Sequence, residues 1–217
     1  HTRCSRDWSS DVCSSDLQSW PVSTPMARVR IFMQITPVDS SNNLFRIVDV
    51  FPQHIVDAVL ATDWLNLPWQ RQEGQELWAR RRIDNSALPW MKDWDDHFSK
   101  IMPEIEQGLG KKLRGYQGTA WWVDEPGFTC AMHTDGEMPG SCQLTWIGAL
   151  PELATAFYHY KDPTALRHQF LVQPNAGYIM INTATAEGYR HLQWHAMLTP
   201  VPAGTFRLNS YSWLTEA

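Results

Sequence analysis

Three things are scarce in this 217-residue chain, and each scarcity closes off a class of function. Cysteine comes to four, and two of these, Cys4 and Cys13, fall in a leading segment that is set aside below. The remaining Cys130 and Cys142 make no disulfide framework, so a reducing, cytoplasmic setting is the expectation. Basic charge is also short, with 18 Lys and Arg against 23 Asp and Glu, a net of -5. Nucleic-acid binding wants a basic face, so no nucleic-acid partner is expected. No apolar run approaches the roughly 20 residues needed to cross a bilayer, so no membrane association is expected. Tryptophan and proline, by contrast, are plentiful at 12 and 14, which suits aromatic packing and many turns. The sequence carries no internal repeat, no long linker and no signal for oligomeric state.

The segment DWSSDVCSSDL, residues 7–17, fits neither a signal peptide nor a helix. Residue for residue it resembles the translation of a widely used sequencing-library adapter. Residues 1–17 are therefore left out of fold reasoning as adapter-derived, with Met26 a candidate start and a metagenomic or viral source implied. Without them the chain has 16 basic and 20 acidic residues, a net of -4. Residues 18–217 have the length of one domain with a sizeable core.

The two halves of that domain differ in pattern. In residues 44–115, Leu44 to Phe51 is β-rich, and Pro52 to Leu65 places Ile55, Val56, Val59 and Leu60 at helical spacing. Leu88 to Leu113 predicts a second helix or helix pair, with Trp90, Met91, Trp94, Phe98 and Ile101 as its apolar stripe. Pro103 should kink or divide it, and Gly108 or Gly110 should end it. In residues 116–214, short Val-, Ile-, Thr- and aromatic-rich segments alternate with Gly, Pro, Asn and Asp. Strands are predicted at Gly118 to Asp124, Thr129 to His133, Cys142 to Leu150, Ala156 to Tyr160, Gln169 to Gln173, Tyr178 to Asn182, Arg190 to Met197 and Thr205 to Trp213. Eight strands with helices gathered before them indicate an α+β chain with an antiparallel jelly-roll core.

One of those strands ends in AMHTDG, where His133 and Asp135 stand two positions apart. Residues so spaced on a strand share a face, so an imidazole and a carboxylate can point together at the mouth of the roll. A third ligand would complete the two-histidine, one-carboxylate set that holds ferrous iron with positions left open. His191 and His195 are the candidates, followed by Pro200-Val201, Gly204 and Arg207.

In that order, these motifs resemble the 2-oxoglutarate- and Fe(II)-dependent oxygenases, in particular their prolyl-4-hydroxylase-like branch. The resemblance covers roughly Tyr116 to Leu214. It takes in Val123 to Phe128 as the lead-in, Gln173 to Asn182 as a glycine-containing strand, and Trp213 in the aromatic ending. It implies a double-stranded β-helix fold with Fe(II) held by His133, Asp135 and His195. His195 precedes Arg207 by 12 residues and His191 by 16, and the shorter interval is the better match. Arg207 is implied to meet the distal carboxylate of 2-oxoglutarate with its planar fork. Asn209, on the same face, either helps to hold the cosubstrate or satisfies a loop, and Thr145 and Tyr158 are weaker candidates. The implied activity is hydroxylation of a peptidyl substrate, prolyl among the candidates, or of a small molecule, with release of succinate and CO2. Ascorbate is a candidate accompanying reductant. Asp135 sets the chain apart from related halogenases, which have no carboxylate there. Two alternatives are a cupin-like binding protein without redox turnover and a zinc-dependent hydrolase on the same ligands. Arg80, Arg81 and Arg82 read as a solvated or acid-paired surface in preference to a binding patch for an acidic substrate, and Trp121, Trp122, Trp146 and Trp194 as core or lip aromatics.

Overall fold

The structure, a computed structural model, describes residues 33–70, 79–135, 140–160, 162–182 and 193–216. Along the chain come β1 (Gln34–Pro37), β2 (Leu44–Val48), helix α1 (Gln53–Ala61), β3 (Trp69–Gln70), β4 (Arg80–Ile83) and helix α2 (Met91–Leu109). Then follow β5 (Leu113–Asp124), β6 (Cys130–His133), β7 (Gly140–Ile147), β8 (Ala156–Tyr158), β9 (Leu166–Gln169), β10 (Ala176–Ile181), β11 (His195–Met197) and β12 (Arg207–Glu216). An eight-stranded sheet runs β1-β2-β10-β7-β12-β5-β4-β3, and a four-stranded one runs β6-β11-β8-β9. All pairings are antiparallel. The jelly-roll, α+β reading of the sequence holds. Among the described residues, no helix is long and apolar enough to cross a membrane.

Period-two alternation on the large sheet sorts its side chains into two environments. Val123, Leu144, Trp146, Leu208 and Leu214 join one core cluster with the α2 residues Trp94, Phe98, Ile101 and Ile105. Trp64, Trp90, Trp94, Trp121 and Trp146 meet there, with Trp94 stacked on Phe51 at 3.7 Å and Trp121 edge-on to Trp94 at 4.8 Å. The polar ends of these rings are satisfied locally, Trp94 donating to Thr119 Oγ1 and Trp146 to Ser210 Oγ, both at 2.9 Å. The opposite face carries Trp122, Asp124, Gln143, Arg207, Asn209 and Tyr211, and that face builds the site.

Three differences from the sequence pattern have local causes. Helix α2 runs through Pro103 as one helix. Pro103 lies on the exposed side, where water can satisfy the carbonyl it leaves without a partner, while the buried stripe holds the helix on the sheet. Gly110, in the left-handed region at φ 64°, ends it. The strand expected over Gln169 to Gln173 is β9, displaced to Leu166–Gln169. After Gln169 the chain leaves the sheet towards Asn175, at φ 59°, whose side-chain amide bonds both the N–H and the C=O of Phe51. Residues 34–37, 69–70 and 80–83 form sheet strands that the sequence pattern missed, because they are short and two of them carry polar or charged runs. Gly177 has a different role: a Cβ there would lie 2.0 Å from Gln143 O, so β10 can approach β7 only with glycine at this position.

Arg167 of β9 ties the small sheet to the turn after β1. It bonds Asp39, Ser41 Oγ at 2.8 Å and Gln193 Oε1 at 2.6 Å. Its guanidinium holds the Asp39 carboxyl well below the usual carboxylate range. A carboxyl depressed by folding stabilises above its unfolded pKa of about 4, and that contribution is lost as pH falls through the folded value. Asp39→Asn should therefore cost about 1 kcal/mol at pH 7, and the difference should vanish under strongly acid conditions. Urea unfolding of both proteins across pH checks this, and a pH-independent difference would rule out the ionic account.

Candidate metal centre

β6 is an edge strand of the small sheet, and its pairing with β11 sets His133 directly across from His195. The two rings stand 4.3 Å apart between centroids. Asp135 follows two residues after His133, just beyond the strand, and turns its carboxylate back towards both rings. His133 Nε2 lies 3.4 Å and His195 Nε2 3.5 Å from the same oxygen, Asp135 Oδ1. One ligand atom from each of the three residues lies within 4.8 Å of the others.

The rest of each ligand is already committed. Nδ1 of His133 is 2.8 Å from Ala131 O, and Nδ1 of His195 is 2.8 Å from Gln193 O. In both rings Nδ1–H then donates to a carbonyl two residues back, which turns Nε2, the atom able to ligate a cation once its proton is displaced, towards Asp135. Asp135 Oδ2 accepts a 2.9 Å hydrogen bond from the Tyr211 hydroxyl, so Oδ1 is the oxygen left for a cation. Burial raises Tyr211 above the ordinary phenol range and Asp135 raises it further, so the phenol keeps the proton it donates. Burial lowers His133, but the hydrogen bond to Asp135 and the neighbouring Cys130 outweigh it and push the imidazole up to about 10. Burial raises Asp135, yet the two imidazoles carry it well below the usual range. These shifts describe a spot that strongly attracts positive charge. Two neutral imidazole nitrogens and one carboxylate oxygen on one side fit a divalent iron ion with its other positions open.

Tyr211→Phe removes only the bond that orients the carboxylate. The expected result is metal affinity about tenfold lower with the fold retained, measured by competition with a chelator of known affinity. Unchanged affinity would mean that Tyr211 merely fills space.

Behind the three ligands lies a small open cavity of about 90 Å³, lined by the ligands and by Arg80, Trp122, Arg207 and Tyr211, among others. Arg207, Asn209 and Tyr211 enter it from alternate positions of β12. Arg207 is 3% exposed and donates to Asp124 Oδ2 at 3.0 Å. Asn209 donates to the same oxygen at 2.9 Å and accepts from Thr145 Oγ1 at 3.0 Å. Arg80 reaches both oxygens of Asp124 from β4.

The structure thus brings His133, Asp135, His195, Arg207 and Asn209 into one cavity. Thr145 reaches it only through Asn209. Tyr158 packs instead with Ala156, Ala196 and Met132. Arg80 and Arg81 are acid-paired, to Asp124 and Glu125, but Arg80 belongs to the cavity wall and not to a solvated surface. Trp121 and Trp146 are core, whereas Trp122 lines the cavity. Cys130 and Cys142 are both free thiols. His191 lies outside the described residues, as do residues 136–139 of the loop that follows Asp135. Asp124, Arg80 and Tyr211 are the site residues that sequence reasoning missed. Tyr211 alone carried a usable signal, since it stands two and four residues past Asn209 and Arg207 on one strand face.

No protein-family model matches the chain, and no curated protein matches it either. Solved structures do. A prolyl-4-hydroxylase from Pseudomonas putida superposes with a TM-score of 0.52 at 15% identity, over 81% of this chain and 93% of its own. HygX from Streptomyces hygroscopicus, solved with nickel and 2-oxoglutarate bound, gives 0.54 at 10% identity over 82% and 84%. The non-haem α-ketoglutarate-dependent epimerase SnoN from nogalamycin biosynthesis gives 0.56 at 12% identity over 81% and 77%. At these identities the likeness is one of fold, the double-stranded β-helix.

Proposed function

We propose that this chain is an Fe(II)- and 2-oxoglutarate-dependent dioxygenase that hydroxylates a peptidyl or small-molecule substrate, with prolyl residues a candidate target. The observation that carries the reading is the convergence of His133 Nε2, Asp135 Oδ1 and His195 Nε2 on one point of a cavity that also holds a buried arginine, Arg207. A binding protein or a zinc hydrolase needs the first feature and has no use for the second.

Fe(II) bound by these three residues would supply the redox chemistry that couples decarboxylation of the oxo acid by O2, to succinate and CO2, to oxygen insertion into a second molecule. The chain's own part is positional. His133, Asp135 and His195 would hold the ion through Nε2, Oδ1 and Nε2. The Ala131 and Gln193 carbonyls and the Tyr211 hydroxyl fix the donor atoms. Arg207 answers the distal carboxylate of the cosubstrate from a position closed to water, where a charge-assisted bond is strong. Support for the cosubstrate comes from HygX, whose structure holds 2-oxoglutarate and a metal on the same fold. The neighbours include both a prolyl hydroxylase and an epimerase, so the fold leaves the substrate to be found by experiment.

The deciding experiment adds Fe(II) and then 2-oxoglutarate to the protein without oxygen and looks for the visible charge-transfer band of a chelated 2-oxo acid. The band should appear, vanish in His195→Ala and persist in His191→Ala. A folded protein that gives no band would overturn the proposal.

A further inference from the structure

We infer that Arg80 is a second arginine of the cosubstrate floor, a positioning residue whose charge makes the cavity selective for a 2-oxo acid bearing a second carboxylate; this rests on the function proposed above. The placement comes from three adjacent strands. β5 pairs with β4 on one side and β12 on the other, and Asp124 is the register partner of Arg80 on the first and of Arg207 on the second. One carboxylate, fully buried, therefore sits between two guanidinium groups in a single row across the sheet.

Asp124 is more than satisfied. It accepts from Arg80 Nε and Nη2, Arg207 Nη1 and Asn209 Nδ2. Arg207 and Asn209 both bond Oδ2 and Arg80 Nε bonds Oδ1, so the second arginine completes the pairing of the carboxylate while adding a charge beyond what one carboxylate neutralises. With Arg80 present, the cluster holds two positive charges against one negative. The Arg80 side chain is mostly buried, 17% exposed, and its guanidinium carbon lies 4.3 Å from the Phe128 ring centre and 5.2 Å from that of Trp122, contacts that hold it beside the cavity. Arg207 meanwhile has a buried Nε with no hydrogen-bond partner among the described residues. Burial pulls the Arg207 guanidinium below its ordinary value, Asp124 opposes this and Arg80 adds to it. An excess positive charge held away from water is costly until an anion joins it.

The two ends of the cavity then match a dianion. A divalent ion on His133, Asp135 and His195 carries one net positive charge, and so does the Arg80, Asp124 and Arg207 cluster. A 2-oxo diacid, with a carboxylate at each end, neutralises both. A 2-oxo monoacid leaves the charge of the floor uncompensated. The charge of the floor, and not only the contact made by Arg207, is thus what selects the second carboxylate.

The test uses the full chain loaded with Mn(II) and measures binding, by equilibrium dialysis, of 2-oxoglutarate and of 2-oxovalerate, the same carbon chain without the distal carboxylate. The wild type should prefer the diacid by roughly 100-fold or more. In Arg80→Met the floor becomes neutral, and the preference should shrink by roughly 30-fold with Mn(II) affinity unchanged. In Arg80→Met combined with Asp124→Asn, the net positive charge returns, and the preference should recover to within about fivefold of wild type. A residue that only braced the sheet would change the binding of both acids alike and leave their ratio at the wild-type value in either variant. Arg80→Gln, which keeps a donor to Asp124, replaces Arg80→Met if that variant does not fold, with the same loss expected. Full preference in the single variant, or no recovery in the double, overturns the inference and leaves the proposed function standing. A wild type that binds neither acid removes both.

Discussion

Asp135→Asn should fold and fail to hold iron. The amide keeps an oxygen for the Tyr211 hydroxyl, now 2.9 Å away on Asp135 Oδ2, so no buried phenol is stranded. What it removes is the negative charge and the oxygen that both imidazoles face at 3.4 and 3.5 Å. Two neutral nitrogens remain, a set that the divalent iron ion binds weakly. Loss of an outer partner alone costs 10- to 100-fold in affinity, so loss of the anionic ligand should exceed about 100-fold, and Fe(II)-dependent succinate formation should fall at least as far. Asp135→Ala should do the same and also cost about 1–3 kcal/mol of stability, because the Tyr211 hydroxyl then loses its partner. Metal competition titration with thermal unfolding on both variants separates the two effects. An Asp135→Asn protein that kept its iron affinity within a few-fold would show that Asp135 is not the third ligand.

His133 and Asp135 could be paired from the sequence because the geometry that joins them is local: two residues along a strand share a face whatever the rest of the chain does. His195 stands opposite His133 only through the β6–β11 register, which no periodicity encodes. It was reached through its order before Pro200-Val201, Gly204 and Arg207, a matter of resemblance and not of physics. Asp124 and Arg80 offered neither route. Asp124 sits in a Val-Asp-Glu-Pro stretch that reads as turn chemistry, and Arg80 opens a run of three arginines that reads as surface. Their meeting depends on two strand pairings spanning 44 and 83 residues of sequence. The helices show the same split. The apolar stripe of α2 was plain in Trp94, Phe98 and Ile101, but the harmlessness of Pro103 depended on which side of the helix would face water. Local rules carried the elements and one edge of the site, while the charged floor, made wholly of long-range pairs, stayed hidden.

Arg207→Met probes that floor from the contact side. Methionine replaces the alkyl stem of a side chain that is 3% exposed, so packing should survive. Asp124 keeps Arg80 and Asn209 as partners, and no buried carboxylate is left alone. The Arg207 Nε that has no partner among the described residues disappears as well, and removing one member of a buried ionic group is costly chiefly when it strands the opposite charge, which Arg80 and Asn209 prevent here. Stability should therefore move by less than about 2 kcal/mol. Binding of 2-oxoglutarate should weaken by at least about 100-fold, because the variant loses both the fork that meets the distal carboxylate and the excess charge that favours it. Arg207→Lys separates these two losses. It keeps the charge but offers a point where the carboxylate expects a plane, and its affinity should fall by only about tenfold. Measured on Mn(II)-loaded protein, the order wild type, Arg207→Lys, Arg207→Met would assign contact and charge to the same side chain. If Arg207→Met bound the diacid as wild type does, the carboxylate would have to rest on Arg80 instead, and Arg207 would serve only to balance Asp124.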